Sequence, residues 1–409
     1  MLRQEQIAAT IDMQKDIFLN KDAGLDREYL ERVPISESYA TIITGIRRCG
    51  KSTLLLQLLQ KKYTDALYLN FEDIRLAEFE TSDLSRLRDE IVRRKINVLF
   101  FDEIQFIDGW EIFVRQLLTE GYTVFVTGSN ASLLSRELGT RLTGRHLSME
   151  LFPFSYHEYV RLKNLEINEK SLEEYLKDGG MPEYVKKNPA ARGGILPALM
   201  DDILMRDIAV RYSIRDVEAL RKLSVYLMSN IGNPVSASKL TGLFGIKSST
   251  TILEYFSYLK NSYLFEFLPQ FGWSLKSQAR NPKKVYSIDT GMISEISGAF
   301  TENIGHRFEN LIYLDLRRKN KVDDLFYFKE KGECDFIVFE KGKAKEAVQV
   351  CYKIDDLNFE RELNGLMEAM AFFDLTEGTL VTFNQKDQFE KDGLTVRMVP
   401  AHEYIGHSD

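Results

Sequence analysis

The chain has 409 residues, 44% of them hydrophobic and 28% charged, and its 54 Lys and Arg against 61 Asp and Glu give a formal charge of -7. This is the composition of a globular chain of several domains; it excludes a disordered chain and a basic nucleic-acid coat, so any contact with nucleic acid must come from a local patch. Cys49, Cys334 and Cys351 are odd in number and lie far apart without metal spacing, which suits a reducing cytoplasm; the N-terminus is charged throughout and does not read as a signal peptide, and no apolar run approaches the roughly 18 residues of a membrane span.

Residues 1–35 read as amphipathic helix. From 36 to 152, short apolar runs ("YATIIT", "DALYLNF", "INVLFFD", "YTVFVTG", "HLSMELF") alternate with helical stretches, the pattern of a parallel α/β sheet buried on both faces. Residues 153–232 turn mostly helical. Two short helices and strand-like runs follow over 233–295. The tail, 296–409, begins with the helical "HRFENLIYLDLRRKN" and continues into "DLFYFKE", "CDFIVFE" and "KEAVQVCYKI", a second α/β unit.

Between the strand "ATIIT" and the helix "STLLLQLLQKK" stands Gly45-Ile46-Arg47-Arg48-Cys49-Gly50-Lys51-Ser52-Thr53. It fits G-x-x-x-x-G-K-[ST] at every fixed position. The glycines let backbone N–H groups close around phosphates, and the helix N-terminus favours their charge. Lys51 is expected to reach the β- and γ-phosphates of ATP, and the Ser52 hydroxyl to ligate Mg²⁺. A second acidic part is supplied by "NVLFFDEIQ": a strand buried on both faces has no structural use for two carboxylates at its tip. Asp102 is assigned to the metal and Glu103 to the attacking water as base. The solvated alternative is an Asp cap with an exposed Glu.

At the end of "VFVTGSN", Asn130 is the candidate for positioning that water, with Ser129 next. Asn70, Glu72 and Asp73 close another strand as a polar cluster. Arg136, Arg141 and Arg145 precede the last strand, and an arginine there can act as a finger on a neighbouring subunit, Arg145 ahead of Arg141. The bland reading of these arginines is a solvated helix end.

In order, "TGIRRCGKST", "LNFED", "FFDEIQ", "VTGSNASLL", "TRLTGR", "LFPFSYHEY", "GGMPEYV", "RDIAVRY", "NPKKVYSIDTGM", "GHRFENLIYLDL" and "ECDFIV" resemble the AAA+-like predicted ATPases of bacteria and archaea that carry a C-terminal domain of unknown function. The resemblance spans nearly the whole chain. It implies an AAA+-type P-loop core (1–152), a helical lid (153–232), a winged-helix region (233–295) and a restriction-endonuclease-like α/β domain (296–409).

The residues support the third region independently. Ser236 and Ser248 stand where caps of two helices around a Gly turn belong, a helix-turn-helix, and "FEFLPQF" reads as a wing strand. The second helix offers Lys247, Ser248, Ser249, Thr250, Thr251, Tyr255 and Lys260. "SLKSQARNPKK" adds Lys276, Arg280, Lys283 and Lys284 with no acid, a local patch suited to DNA phosphates or to another protein.

The resemblance places Glu309 and Asp335 at metal positions of a nuclease. Gln349 stands where the second acid belongs and Cys351 where the lysine belongs, with Lys353 two residues on. An amide is a poor Mg²⁺ ligand beside a carboxylate, and a thiol lacks the lysine's charge, so the expected tail is nuclease-like in fold but degenerate. The sequence thus points to an ATP-hydrolysing switch coupled to a winged helix and a degenerate nuclease-like domain, with self-association in ATP. The competing classes are a non-enzymatic ATP-bound DNA- or protein-binding module and an active metal-dependent nuclease.

Overall fold

The computed structural model of the chain describes residues 1–131, 142, 144–297 and 304–406. The chain divides into two units, Met1–Phe152 with Asn261–Tyr263, and Pro153–Lys260 with Leu264–Asp409.

The first unit is built on a five-stranded sheet in the order β2-β3-β4-β1-β5: β1 Ala40–Thr44, β2 Leu67–Asn70, β3 Val98–Asp102, β4 Thr123–Gly128 and β5 His146–Glu150. Every pairing is parallel. β1 is buried throughout and β3 at all but its first residue, which is why both read as continuous apolar runs rather than as alternations. β4 lies between β3 and β1, so the strand holding the acids is not the neighbour of the strand that feeds the glycine loop. Because all five strands point the same way, their C-terminal tips form one edge, where ligands bind in open α/β sheets. The helices Gln4–Leu19, Lys51–Lys62, Leu84–Arg94 and Trp110–Thr119 connect or cover the strands. Ile7, Ile11, Leu87, Ile91, Phe113 and Leu117 come from these helices into a core with Ile42, Leu69, Phe101 and Val126.

The second unit begins with the helices Tyr156–Lys163, Glu169–Asp178, Pro182–Val185, Ile195–Asp202, Ile203–Val210 (a π-helix) and Val217–Ser229. Next comes β6 Pro234–Val235, then helices Ala237–Leu240 and Ser249–Asn261, the latter ending inside the first unit's short segment, then β7 Phe265–Pro269 and β8 Lys283–Ser287. These strands form an antiparallel sheet in the order β6-β8-β7. The helix before the Gly turn is shorter than the sequence suggests. It spans Ala237–Leu240, and Ser236 makes no side-chain cap, whereas the Ser248 hydroxyl accepts the Thr250 N–H at 3.1 Å.

The tail carries the helix Ile304–Lys319, then β9 Leu325–Lys329, β10 Glu333–Glu340, β11 Lys343–Cys351, the helix Phe359–Phe372, β12 Glu377–Thr382, β13 Asp387–Lys391 and β14 Leu394–Pro400, in a mixed six-stranded sheet ordered β13-β14-β12-β11-β10-β9. Leu363, Leu366, Ala369 and Met370 of the helix Phe359–Phe372, at helical spacing, pack on Ile337, Ala347 and Leu380. Among the described residues no helix is long and apolar enough to cross a membrane.

Candidate active site

The glycine loop follows β1 directly. Gly45 has φ +148°, and a Cβ there would lie 2.2 Å from the Leu151 carbonyl oxygen; Gly50 has φ +104°. Neither position accepts another residue without moving the backbone, so the two fixed glycines of the motif have a steric cause. Gly50 opens the helix Lys51–Lys62, whose first-turn N–H groups face the loop.

Lys51 is buried. Its ammonium donates to the carbonyl oxygens of Gly45 at 3.1 Å and Ile46 at 3.3 Å and stands 3.5 Å from Glu103 Oε1. Behind the loop, buried Arg27 donates through Nη1 to the Cys49 carbonyl and through Nη2 to the Phe152 carbonyl, both at 2.7 Å. Burial raises the Cys49 thiol above its ordinary pKa, so this cysteine is a wall rather than a nucleophile. Arg47 pairs with Glu72 at 3.0 Å. Of the polar residues after β2, Glu72 therefore reaches the loop, and Asn70 Oδ1 accepts the Glu72 N–H. Asp73 turns to Arg75 and Gln14, and the Arg75 guanidinium leads in holding its carboxyl down at about 2.

Asp102, at the tip of β3, is fully buried and held from three sides. The Ser52 hydroxyl donates to Oδ2 at 2.5 Å, the Tyr68 hydroxyl donates to the same oxygen at 2.7 Å, and the Thr127 hydroxyl donates to Oδ1. Burial, followed by the Asp102 charge, raises the Tyr68 phenol, which keeps it a donor. Ser52 and Asp102 thus meet at one point, the arrangement that would hold a Mg²⁺ between the loop and the acid; the donor set of hydroxyl and carboxylate suits that hard cation.

Glu103 adopts φ 53°, ψ 45°, a left-handed conformation that costs a non-glycine residue about 1 kcal/mol. The turn carries its side chain to Lys51, to Gln105 Nε2 at 2.5 Å and to the Ser129 N–H at 3.2 Å, while its own N–H donates to Thr127 Oγ1 at 3.1 Å. Burial pushes its pKa up, but the Lys51 charge, the Gln105 amide, Arg47 and the Ser129 N–H outweigh this and hold it below the usual glutamate value. Asn130 follows Ser129 and is fully buried just beyond β4. The structure therefore gathers Lys51, Ser52, Asp102, Glu103 and Ser129 at the sheet's C-terminal edge. Tyr68, Thr127, Gln105 and Arg27 join them unannounced by the sequence, and so does Tyr263, whose hydroxyl donates to Thr44 Oγ1 at 2.7 Å, one residue before the loop.

Arg145 is not brought to the loop. It is exposed and precedes β5, its carbonyl accepting the N–H of Ala40 at the start of β1. It sits at the N-terminal edge of the sheet, a strand of five residues and about 16 Å from the loop, because in a parallel sheet a residue before a strand lies opposite a residue after one. Arg136 and Arg141 lie outside the described residues.

In the second unit, Lys276 and Arg280 are exposed and Lys283 is half-buried, but Lys284 is fully buried and cannot touch DNA. Tyr255 is buried too, since Ile252, Tyr255 and Leu259 form the inward stripe of their helix. Glu309, Asp335 and Gln349 are all buried, and the Asp335 N–H donates to Gln349 Oε1 at 3.2 Å. Cys351 ends β11 with its thiol toward the Lys353 carbonyl, and its pKa is pushed up to about 11 by burial and then by Glu362. Lys353 is exposed and does not join the cluster.

Residues 37–160 match the family model described as an AAA domain, and residues 169–303 match a domain of unknown function, DUF8612. The chain is 36% identical over 373 residues to the uncharacterized protein MJ1544 of Methanocaldococcus jannaschii, covering 86% of this chain and 83% of that one. It is 31% identical over 378 residues to an uncharacterized protein of Haemophilus influenzae, covering 88% and 92%. A second M. jannaschii protein, the uncharacterized MJ1637, is 22% identical over 356 residues.

Proposed function

Because the chain belongs to the same family as these archaeal and bacterial proteins, with an AAA domain near its N-terminus, we propose that it is an ATP-hydrolysing switch whose first unit binds and cleaves ATP. The observation that carries this reading is the convergence of Ser52 on Asp102 at 2.5 Å beside a Glu103 turned out of its strand toward Lys51. The loop N–H groups and Lys51 hold the phosphates. Ser52 and Asp102 hold Mg²⁺, which when bound neutralises phosphate charge. Glu103, ionised at neutral pH, accepts the hydrogen bond of the attacking water, with Ser129 fixing its carboxylate and Asn130 beside it. Lys51→Ala removes the cation that faces the phosphates and should abolish ATP binding. Phosphate release by wild type and Lys51→Ala, with the mass of the protein measured in ATP, is the test. A wild type that binds ATP without releasing phosphate returns the protein to the class of non-enzymatic ATP-bound modules.

One observation favours DNA as the partner of the second unit. The order β6, two helices, β7 and β8 resembles that of a winged helix, and the connection from β7 to β8, which includes the short helix Leu275–Arg280, exposes Trp273 and Leu275, each 83% accessible, beside Lys276 and Arg280. An exposed indole among cations suits base stacking with phosphate contact. Binding of single- and double-stranded DNA by wild type and Trp273→Ala, with its salt dependence, tests this; equal binding by the two proteins would remove the loop from any DNA site.

A further inference from the structure

The tail's element order, the helix Ile304–Lys319, β9, β10, β11, the helix Phe359–Phe372 and β12, places Glu309 and Asp335 together where a restriction-type nuclease holds its metal. The residues do not fit a metal there. The Nζ of Lys284, from β8, occupies the middle of the cluster, 2.7 Å from Asp335 Oδ1, 2.9 Å from Glu333 Oε1 and 3.0 Å from Glu309 Oε1. We infer that Lys284 is a built-in cation standing in for the divalent metal, so that the C-terminal α/β region is a closed charge cluster that neither binds Mg²⁺ nor cuts DNA.

Three features support this. An ammonium has three donors; Lys284 hydrogen-bonds Glu309 and Asp335 and pairs in charge with Glu333. The outer oxygens of those acids are engaged as well: Asp335 Oδ2 accepts the Val350 N–H at 3.0 Å, Glu333 Oε2 pairs with Lys329 at 2.9 Å, and Glu309 Oε2 lies 3.5 Å from His306 Nδ1. The Tyr286 hydroxyl adds a bond to Glu309 Oε1 at 2.6 Å. Each of the six carboxylate oxygens already has a donor or cation within 3.5 Å, so a metal would have to displace one of them. Gln349 then has its own reason: its Nε2 donates to Glu362 Oε2 at 2.5 Å, so a glutamate at this position would set two carboxylates against each other. The amide that weakens a metal site completes a closed one.

The test is Mn²⁺ uptake by the full-length, nucleotide-free chain, read by electron paramagnetic resonance, for wild type, Lys284→Ala, Asp335→Asn and the Lys284→Ala/Asp335→Asn double variant. Lys284→Ala should bind Mn²⁺ roughly tenfold or more tightly than wild type, and the double variant should lose that gain. If Lys284→Ala is unfolded by circular dichroism, Mn²⁺ should restore its fold, since one cation replaces another. Wild-type Mn²⁺ binding or DNA cleavage that Asp335→Asn removes would overturn the inference. So would a folded Lys284→Ala without added Mn²⁺ affinity, or an unfolded one that Mn²⁺ does not rescue.

Discussion

The two units each bury a lysine among acids beside a strand tip, and the two lysines do opposite things. Lys51 rests on two neutral carbonyls at 3.1 and 3.3 Å and stands 3.5 Å from Glu103, whereas Lys284 makes ion pairs of 2.7 to 3.0 Å with three carboxylates. A phosphate can take an ammonium from carbonyl oxygens, because it offers full negative charge to a buried cation. It cannot take one from three carboxylates without leaving Glu309 and Asp335 buried together beside Glu333, which costs several kcal/mol per buried ion. Burial of a lysine near acids is therefore not the mark of a site; what matters is how many carboxylates hold it at close range.

The most severe break of this comparison exchanges each lysine for methionine. Lys51→Met should lose ATP binding while keeping its melting temperature. Lys284→Met should keep ATP turnover and lose about 3–5 kcal/mol of stability in the second unit, measured by denaturant unfolding. Loss of turnover in Lys284→Met with the first unit intact would mean that the two centres are not independent.

An open centre can also accept a group from outside, which the closed one cannot. If Arg145 of a second copy supplies the transition-state charge, Arg145→Ala should bind ATP normally and turn over roughly 10³-fold more slowly. Mixing it with Lys51→Ala should restore part of the activity, since each copy provides what the other lacks. Turnover independent of protein concentration, by a monomer in ATP, would remove this arginine from the mechanism.

A smaller effect belongs to Tyr68. Its hydroxyl donates to Asp102 Oδ2, so if Asp102 holds Mg²⁺, Tyr68→Phe should weaken Mg²⁺ affinity about tenfold and leave ATP affinity in saturating Mg²⁺ unchanged. Smallest of all is the expected pH response between 6 and 8. Glu103 has its pKa held below the usual glutamate range, so its base form is complete at neutral pH and is lost only as pH falls through that lowered value. Its contribution to kcat/KM should be flat across neutral pH, with an acid limb below about 4.3. A limb near 7 that Glu103→Asp leaves in place would assign the base to another group.

Local features of these centres were legible in the sequence and distant ones were not. The glycine loop works within nine consecutive residues, and Asp102 and Glu103 are adjacent, so spacing alone places them. Tyr68 and Thr127 reach Asp102 through strand register, β2 and β4 flanking β3, which no local pattern encodes. Arg145 shows the opposite case, since the direction of a parallel strand already puts the residue before it at the far edge. Lys284 reads as part of a basic patch because its neighbours are basic. Only the path of β8 to Glu309, 25 residues on, and to Asp335, 51 residues on, turns it inward. The parallel sheet itself was legible from its uninterrupted apolar runs, and so was an early stop for the Ala237–Leu240 helix, since Gly242, with φ +88°, is the glycine that ends it.

The central claim is that Glu103, twisted into a left-handed turn, activates the water that cleaves ATP. Phosphate release should be measured for wild type and Glu103→Gln in the same preparations used for ATP-binding titrations. The account predicts equal ATP affinity and a fall in turnover of roughly 10²–10⁴-fold, because the amide keeps the turn's hydrogen bonds and loses the base. Wild-type turnover by Glu103→Gln would contradict it.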